Sequence, residues 1–526
     1  MKKIILFSPY CEDGNKLPTN SLDLIQFYLE DHGFKCEQYD LSGKDPEYDE
    51  LSSIIGHLDS PIIGVTGYTR ERFHAYRLIR RIKKECPSAT IVTGGHHFGF
   101  LPTQTLEKLQ EVDIVVRGEG EITFKEICEA IINGTPLNQI DGITFRGANI
   151  DQNTGKKEIV STKDAVLENN LDRFRTWDPA DYAINYHRML GRPKMDGLSS
   201  YIQIMATRGC PTNCNFCSLS TDSVRFRSID HVVNEIEEKI KISGIKKIAF
   251  TDSSLTINKS FVRELCDEII ARKLDIQWQC YSRVDMKRDL LEYMRKAGCI
   301  AVEVALESGS PKVLKSIGKG ISLEKYVDFC KFAHELGIKV WTFLIVSSTD
   351  ETYEDAMMTY DLLIKTSPHV YDFGIQVTRI TPDTQLDKIA RDRGVIPADF
   401  DWFDEGYRNT DEKLMKTDHY VTLPIYKEKM SVEEIQKILN KYEQLKNYEF
   451  VYSDSLWRAI SGNLTPNMIK KLTPKKIYHK AKRFSIMLSN ILRTKEKIRY
   501  YYNPDIDIKN IKRPEWDGVN RSFRMK

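Results

Sequence analysis

Apolar positions in residues 1–150 fall into short runs rich in β-branched residues: KKIILFS, FKCEQYD, PIIGVTG, ATIVTGG and VDIVVRG. Longer segments such as SLDLIQFYLEDHG and FHAYRLIRRIKKECP separate them, with apolar residues at helical spacing and Gly or Pro at their ends. This alternation predicts an α/β domain over residues 1–150, a Rossmann-like (flavodoxin-like) parallel sheet with helices on both faces. Ligands of such sheets lie beyond the carboxyl ends of the strands. Here those ends carry GYTR (67–70), GGHHFGFLP (94–102) and RGEGE (117–121).

The pattern lapses over residues 151–199, which read as a linker across the surface. A second series then begins, with strands at YIQIMAT, KKIAFTD, DIQWQCYS, IAVEVALES, KVWTFLIV and VYDFGIQVT, each followed by a helical segment. The spacing predicts a (β/α)6 partial TIM barrel over residues 200–395, with its chemistry at the carboxyl ends of the strands. Three cysteines follow the first of these strands. Asp252, Arg283, Glu307, Ser347 and Arg379 stand at or just beyond the ends of the later ones. Residues 396–526 lose the alternation and read as a mainly helical C-terminal domain.

Composition narrows the class. The chain has 526 residues, too many for one ordinary core, and 41% hydrophobic with 29% charged residues describes a soluble globular protein. The opening apolar run, IILF, is too short for a signal peptide, and no stretch reaches the length of a membrane span. A cytoplasmic location is expected. The net charge of +2 excludes little, but from residue 461 onward 17 Lys and Arg face 5 Asp and Glu. That tail reads as a charged helical cap; its alternative reading is a surface for an anionic substrate, a peripheral membrane contact or nucleic acid.

The eleven cysteines, odd in number and without an export signal, argue against a disulfide framework. All are scattered except Cys210, Cys214 and Cys217 in GCPTNCNFC (209–217). A structural zinc site wants four ligands, usually in paired Cys-x2-Cys knuckles, and no second pair follows here. A [4Fe–4S] cube held by three thiolates instead keeps one iron open, and an amino acid's amine and carboxylate can chelate it. The loop's Gly, Pro and Asn residues suit a chain that wraps such a cluster.

Cys-x3-Cys-x2-Cys with aromatic Phe216 before the last Cys, after strand one of a β/α barrel, resembles the radical S-adenosylmethionine (SAM) superfamily, and residues 200–393 are similar to it throughout. The resemblance implies reductive cleavage of SAM to a 5′-deoxyadenosyl radical, with Cys210, Cys214 and Cys217 as cluster ligands. It further implies SAM contacts from Phe216, from Asp252 and Ser253 in TDSS, from Arg283 in CYSRVD, and from Glu307 and Ser308 in VALESGS. GGHHFGFLP followed by VDIVVRGEGEITF resembles the cobalamin-binding domain of B12-dependent radical SAM proteins. Cobalamin contacts are then expected from Tyr68, Thr69, Arg70, Gly94, Gly95, His96, His97, Gly118, Glu119 and Gly120. The Asp-x-His-x-x-Gly motif for a lower-ligand histidine is absent; its nearest match, Asp31-His32-Gly33, has the wrong spacing and reads as a helix C-cap. LIVSSTDET also departs from the Gly-x-Pro-x-Glu-Thr of relatives, with Ser347 at the Gly position.

The resemblance thus implies a cobalamin-dependent radical SAM enzyme that methylates an unactivated carbon. Its alternatives are cyclisation, ring contraction or other carbon-skeleton chemistry with the same cofactors, a relic B12 domain, and an iron–sulfur RNA-modifying or RNA-binding protein. No aromatic RNA-binding module supports the last. The implied cofactors are a [4Fe–4S] cluster, SAM and cobalamin. The implied partners are a small-molecule, lipid or peptide substrate and an external electron donor of flavodoxin or ferredoxin type.

Overall fold

A computed structural model describes residues 2–11, 20–41, 47–150, 155, 157–177, 190–191, 201–219, 223–409, 411 and 422–452, with 515–516 and 523–524 near the end. The basic tail falls almost entirely outside these residues. Among the described residues no helix is long and apolar enough to cross a membrane.

The first sheet comprises β1 (Ile4–Ser8), β2 (Cys36–Asp40), β3 (Ile62–Thr66), β4 (Thr90–Gly94), β5 (Ile114–Val116), β6 (Ile143–Ile150) and β7 (Lys157–Ser161). Its order is β2-β1-β3-β4-β5-β6-β7; β1 to β5 run parallel and the last two pairings are antiparallel. The order reverses between β1 and β3, the switch point at which sheets of this kind bind ligands. Every residue of β1 and β3 is buried, as expected of central strands covered on both faces. The supposed linker therefore begins later than its sequence indicates. KEIVS, too short and polar to announce itself, is recruited as an edge strand by the open side of β6.

The second sheet comprises β8 (Leu190–Gly191), β9 (Tyr201–Ile204), β12 (Lys247–Phe250), β13 (Gln277–Ser282), β14 (Cys299–Glu307), β15 (Lys339–Val346) and β16 (Asp372–Val377). Between β9 and β12, the short pair β10 (Thr207–Arg208) and β11 (Arg225–Phe226) brackets the cysteine loop. The sheet order is β16-β15-β14-β13-β12-β9-β8, parallel except for β8, and it matches the six predicted units. Most helices of this half begin behind a side-chain cap. Ser228, Asn258, Ser310, Ser322, Thr352 and Thr384 each accept a backbone N–H from the first turn. Such caps are each worth about 1 kcal/mol and fix where a strand-end loop hands over to its helix.

The C-terminal boundary also differs from the sequence reading. Ile396, Trp402, Phe403, Leu423 and Tyr426 are buried in one hydrophobic cluster with Phe7, Tyr76, Ile79 and Phe98 of the first sheet and its helical layer. The strap they form crosses back over the N-terminal half. Arg72, fully buried, donates to the carbonyls of Thr69, Trp402 and Thr422 at 2.9, 2.9 and 2.7 Å, and so ties the strap to the GYTR turn. Past β16 the strap pairs again, with Ile380 N donating to Pro424 O and Tyr426 N to Thr378 O. Apolar residues at irregular spacing carry no period, which is why this segment reads as featureless in sequence.

Candidate functional site

The cysteine loop is held from below. Asn215 N donates to Ile317 O at 3.0 Å and its side chain donates to Ser316 O and Thr349 Oγ1. Leu386 N donates to Asn215 O at 2.7 Å. Gly318, at φ +73°, lets the chain pass so close that an added Cβ would stand 2.5 Å from Asn213 O. Burial pushes the Cys214 thiol up to about 11 and raises that of Cys217. Leu219 N donates to the Cys217 sulfur at 3.4 Å. Buried thiols resist ionising alone and are deprotonated by coordination. Among the described residues no three such side chains gather closely enough for a single metal ion. A cluster bonds each thiolate through a different iron, so this donor set fits the cluster better than zinc.

Lys319 is the residue that sequence reasoning missed. It follows the helix Pro311–Ser316 in a GKG turn and places Nζ 3.1 Å from Glu307 Oε1, with both side chains largely buried. Glu307 ends β14 at φ +70°, a left-handed conformation that a non-glycine residue adopts at a cost. The field of Glu307 and the neighbouring thiols raises the Lys319 ammonium despite its burial. With Cys210, Thr212, Ser253, Arg283 and Glu303 it lines a cavity of about 80 Å³. Arg283 and Lys319 also border a more open hollow of about 620 Å³. The cavity presents two cations, a carboxylate and hydroxyls, the complement of a zwitterionic amino acid. Its only sequence signal is a lysine flanked by glycines after a strand-end helix.

Other expected SAM contacts point elsewhere. The Asp252 carboxylate is buried under the cysteine loop, where Oδ1 accepts Ala206 N at 3.0 Å and also Thr207 N. Desolvation raises its pKa to about 6. Ser308 is fully buried and turned toward Thr359 Oγ1, 3.1 Å away. Phe216 packs at the seam between the N-terminal core and the Val313–Leu314–Ile317 cluster. Each stands at the right rim, but its hydrogen bonds or its packing turn the side chain from the cavity.

On the N-terminal side, Tyr68 and His96 stack at the ends of β3 and β4, centroids 5.5 Å apart and planes 19° from parallel. Tyr68 is 46% exposed, an uncovered aromatic plate beside the switch-point crevice. Arg70 donates to Glu71 at 2.6 Å and to the Cys11 sulfur at 3.4 Å across that crevice. Thr69 is buried and gives its carbonyl to Arg72. Gly95, at φ +85°, approaches Gly67 O so closely that a Cβ would stand 2.9 Å away, which seats the 94–97 turn on β3's end; Gly94 O accepts Gly67 N. Gly118, at φ +79°, faces open space, and Gly120 caps the helix Glu121–Asn133. An exposed plate, a close-packed glycine turn and an open glycine loop at a switch point fit a large flat ligand.

His97, Glu119 and His32 do other work. His97 is fully buried, bonded to Tyr76 Oη and packed on Phe403, so it faces the strap rather than a corrin. Glu119 accepts from Arg208 at 3.0 Å and from Arg225, while Arg208 also reaches Glu121 at 2.6 Å. RGEGE thus latches the first sheet to the cysteine loop's hairpin, because two arginines with little exposure need a carboxylate partner. His32 Nδ1 meets Tyr28 O at 2.7 Å, the expected helix cap.

The Radical SAM superfamily model matches residues 204–363 and the B12 binding domain model residues 12–128. An uncharacterized methyltransferase of Pyrococcus horikoshii is 30% identical over 368 residues, 68% of this chain and 76% of that protein. The anaerobic magnesium-protoporphyrin IX monomethyl ester cyclase of Cereibacter sphaeroides is 30% identical over 323 residues; the match takes in 60% of this chain and 50% of that one. In fold the chain is similar to the radical SAM methyltransferase TsrM from Kitasatospora setae, solved with tryptophan substrate and a SAM analog, at TM-score 0.60 and 20% identity over 75% of this chain and 77% of that one. It is likewise similar to the cobalamin-dependent SAM radical enzyme OxsB, at TM-score 0.63 and 15% identity over 95% and 75% of the two chains. The thiol loop, the switch-point crevice and these matches agree: the chain belongs to the radical SAM enzymes that carry a B12-binding domain, with a [4Fe–4S] cluster, SAM and cobalamin as its cofactors.

Proposed function

We propose that this chain methylates an unactivated carbon of its substrate. One observation carries the reading: the cysteine loop lies on the seam of the two sheets, with Phe216 in the N-terminal core and the flanking Arg208 and Arg225 on Glu119. A substrate at that seam is within reach of both cofactor sites. When bound, the cluster and SAM supply a hydrogen-abstracting carbon radical, and cobalamin supplies a transferable methyl group.

The chain's own residues hold and orient. Cys210, Cys214 and Cys217 ligate the cluster. Arg283, whose guanidinium Asp285 steadies at 3.1 Å, pairs with the methionine carboxylate of SAM, and Ser253 offers a hydroxyl. Lys319 and Glu307 set the charge beside the open iron. Tyr68 and His96 face the corrin, and the strap over Arg72 fixes their turn. Cys214 and Asn215 are buried while Cys210 and Cys217 stay half-buried, so bound SAM and substrate would complete the exclusion of water that protects a radical site from quenching. The likeness to a methyltransferase of Pyrococcus horikoshii supports methyl transfer. An external reductant of flavodoxin or ferredoxin type is needed to start each turnover, and the chain is proposed to act in the cytoplasm.

The test is anaerobic production with a cobalamin supply, followed by turnover with SAM carrying a deuterated methyl group. About four irons with an equimolar corrinoid per chain, and a labelled methyl group in the product, are expected. Product formed without the label would replace methylation by a skeletal rearrangement. Iron without corrinoid would remove cobalamin from the reaction.

A further inference from the structure

The barrel strands have two unlike faces. Trp278, Cys280, Val302 and Val340 pack outward into the helical core, so alternation turns Gln279, Tyr281, Glu303, Ala305, Trp341 and Phe343 inward. Register sets Tyr281 beside Glu303 and Glu303 beside Trp341; the next rung reads Ala305, Phe343, Gly374. A closed barrel fills this space with layers of branched apolar side chains. Here alanine and glycine alternate with three partly exposed aromatic rings.

Those rings share an orientation. Trp341 and Phe343 stack with centroids 6.2 Å apart and planes 24° from parallel, and Tyr281 lies 6.2 Å from Phe343 at 33°. Near-parallel rings offer flat faces to a plate rather than to a flexible chain. Beneath them Gln279, 3% exposed, has no hydrogen-bond partner for Oε1 among the described residues. The Glu303 carboxylate stands between Tyr281 and Trp341. A buried acceptor such as the Gln279 oxygen is matched by an N–H donor. The inward strand positions of β14–β16 above Lys339 include no Lys or Arg, so the cations of this half, Arg283 and Lys319, stand on its cluster side. Tyr281, Glu303 and Ala305 also line the cavity that holds Arg283 and Lys319, so the aromatic face borders it.

We propose that the substrate carries a planar aromatic ring with an N–H, of indole or pyrrole type, which lies against Phe343 beside Tyr281 and Trp341 and donates to Gln279. This rests on the reading above, that the polar half of the lumen holds SAM while the aromatic half receives the substrate.

The test uses the reconstituted holoenzyme with SAM and three neutral probes in equilibrium dialysis: indole, 1-methylindole and the saturated bicycle hydrindane. Indole is expected to bind tightest, hydrindane weakest, and Phe343→Ala to weaken indole about tenfold or more. Gln279→Leu, which keeps a side chain of similar size, is expected to abolish the preference for indole over 1-methylindole. Equal affinities for all three probes, or no measurable indole binding, would overturn the proposal. Iron, corrinoid and SAM occupancy are measured on the same samples. Full occupancy without ring preference sinks the substrate class alone, whereas absent corrinoid or SAM sinks the reading beneath it.

Discussion

At the level of single residues, Lys319 makes the sharpest claim. Its ammonium stands among Glu307 and the cluster thiols, so Lys319→Met is expected to weaken SAM binding on the order of tenfold, about 1.4 kcal/mol. It is also expected to make the cluster harder to reduce, since a buried positive charge favours the added electron. Equilibrium dialysis and an EPR-monitored redox titration read these separately; an unmoved midpoint potential would leave Lys319 a merely structural ion pair. Asp252 has a pH signature. Its folded pKa, about 6, lies above the ordinary carboxylate value of 3.8, so the stability it contributes is fully present below that value and is lost as pH rises to about 6. Asp252→Asn, which keeps the acceptor oxygen, is expected to flatten that fall, on the order of 2–3 kcal/mol, in denaturant unfolding followed across pH 4 to 7. The same residues show what a sequence conceals. Spacing brought Cys210, Asp252, Arg283, Glu307 and Ser308 to one rim, but spacing does not say which way a side chain turns. Asp252 turns under the loop because backbone N–H groups of Ala206 and Thr207 wait there. His97 is buried by Phe403, distant in the chain, and nothing local distinguishes it from His96.

At the level of elements, alternating strands and helical stretches were legible because a parallel sheet buries both faces and a capped helix announces its start. The strap was not, since its apolar residues are fixed by a distant surface. The departure at the end of β15 now has a structural cause. Ser347, at the glycine position of the motif that LIVSSTDET resembles, takes the left-handed conformation, φ +65°, while its hydroxyl donates to Tyr426 O at 2.6 Å. The hydrogen bond offsets the strain and fastens the strap to the barrel. Ser347→Ala keeps the strain and loses the bond, and is expected to destabilise by about 1–2 kcal/mol. Ser347→Gly loses the bond but relieves the strain, and is expected to cost less. Thermal unfolding of the two variants gives the order; the reverse order would refute this account.

For the whole molecule, the decisive contact is the ion cluster joining RGEGE to the cysteine hairpin. Arg225 and Arg208 keep little solvent exposure, 5% and 11% of their side chains. Glu119→Gln leaves Arg225 short of a counter-charge, while Arg208 keeps Glu121, and is expected to cost about 1–3 kcal/mol. Hydrogen exchange should then rise around residues 207–226 in the variant, and corrinoid retention should fall, if this latch sets the approach of the two sheets. Unchanged exchange with normal retention would make the cluster incidental.

The strap over the N-terminal half bears on how the chain is made. One face of the first sheet, around Leu22, Phe124 and Phe145, closes from residues within the first 150. The other waits for Trp402, Phe403, Leu423 and Tyr426. At ribosomal speeds of about 5–20 residues per second, roughly 250 residues separate the two events, a delay of about 12–50 s. Throughout it the nascent domain displays Tyr76 and Phe98 to solvent, an adhesive surface that a chaperone must shield. Chaperone co-production should therefore raise the yield of folded protein, and a chain truncated near residue 395 should precipitate.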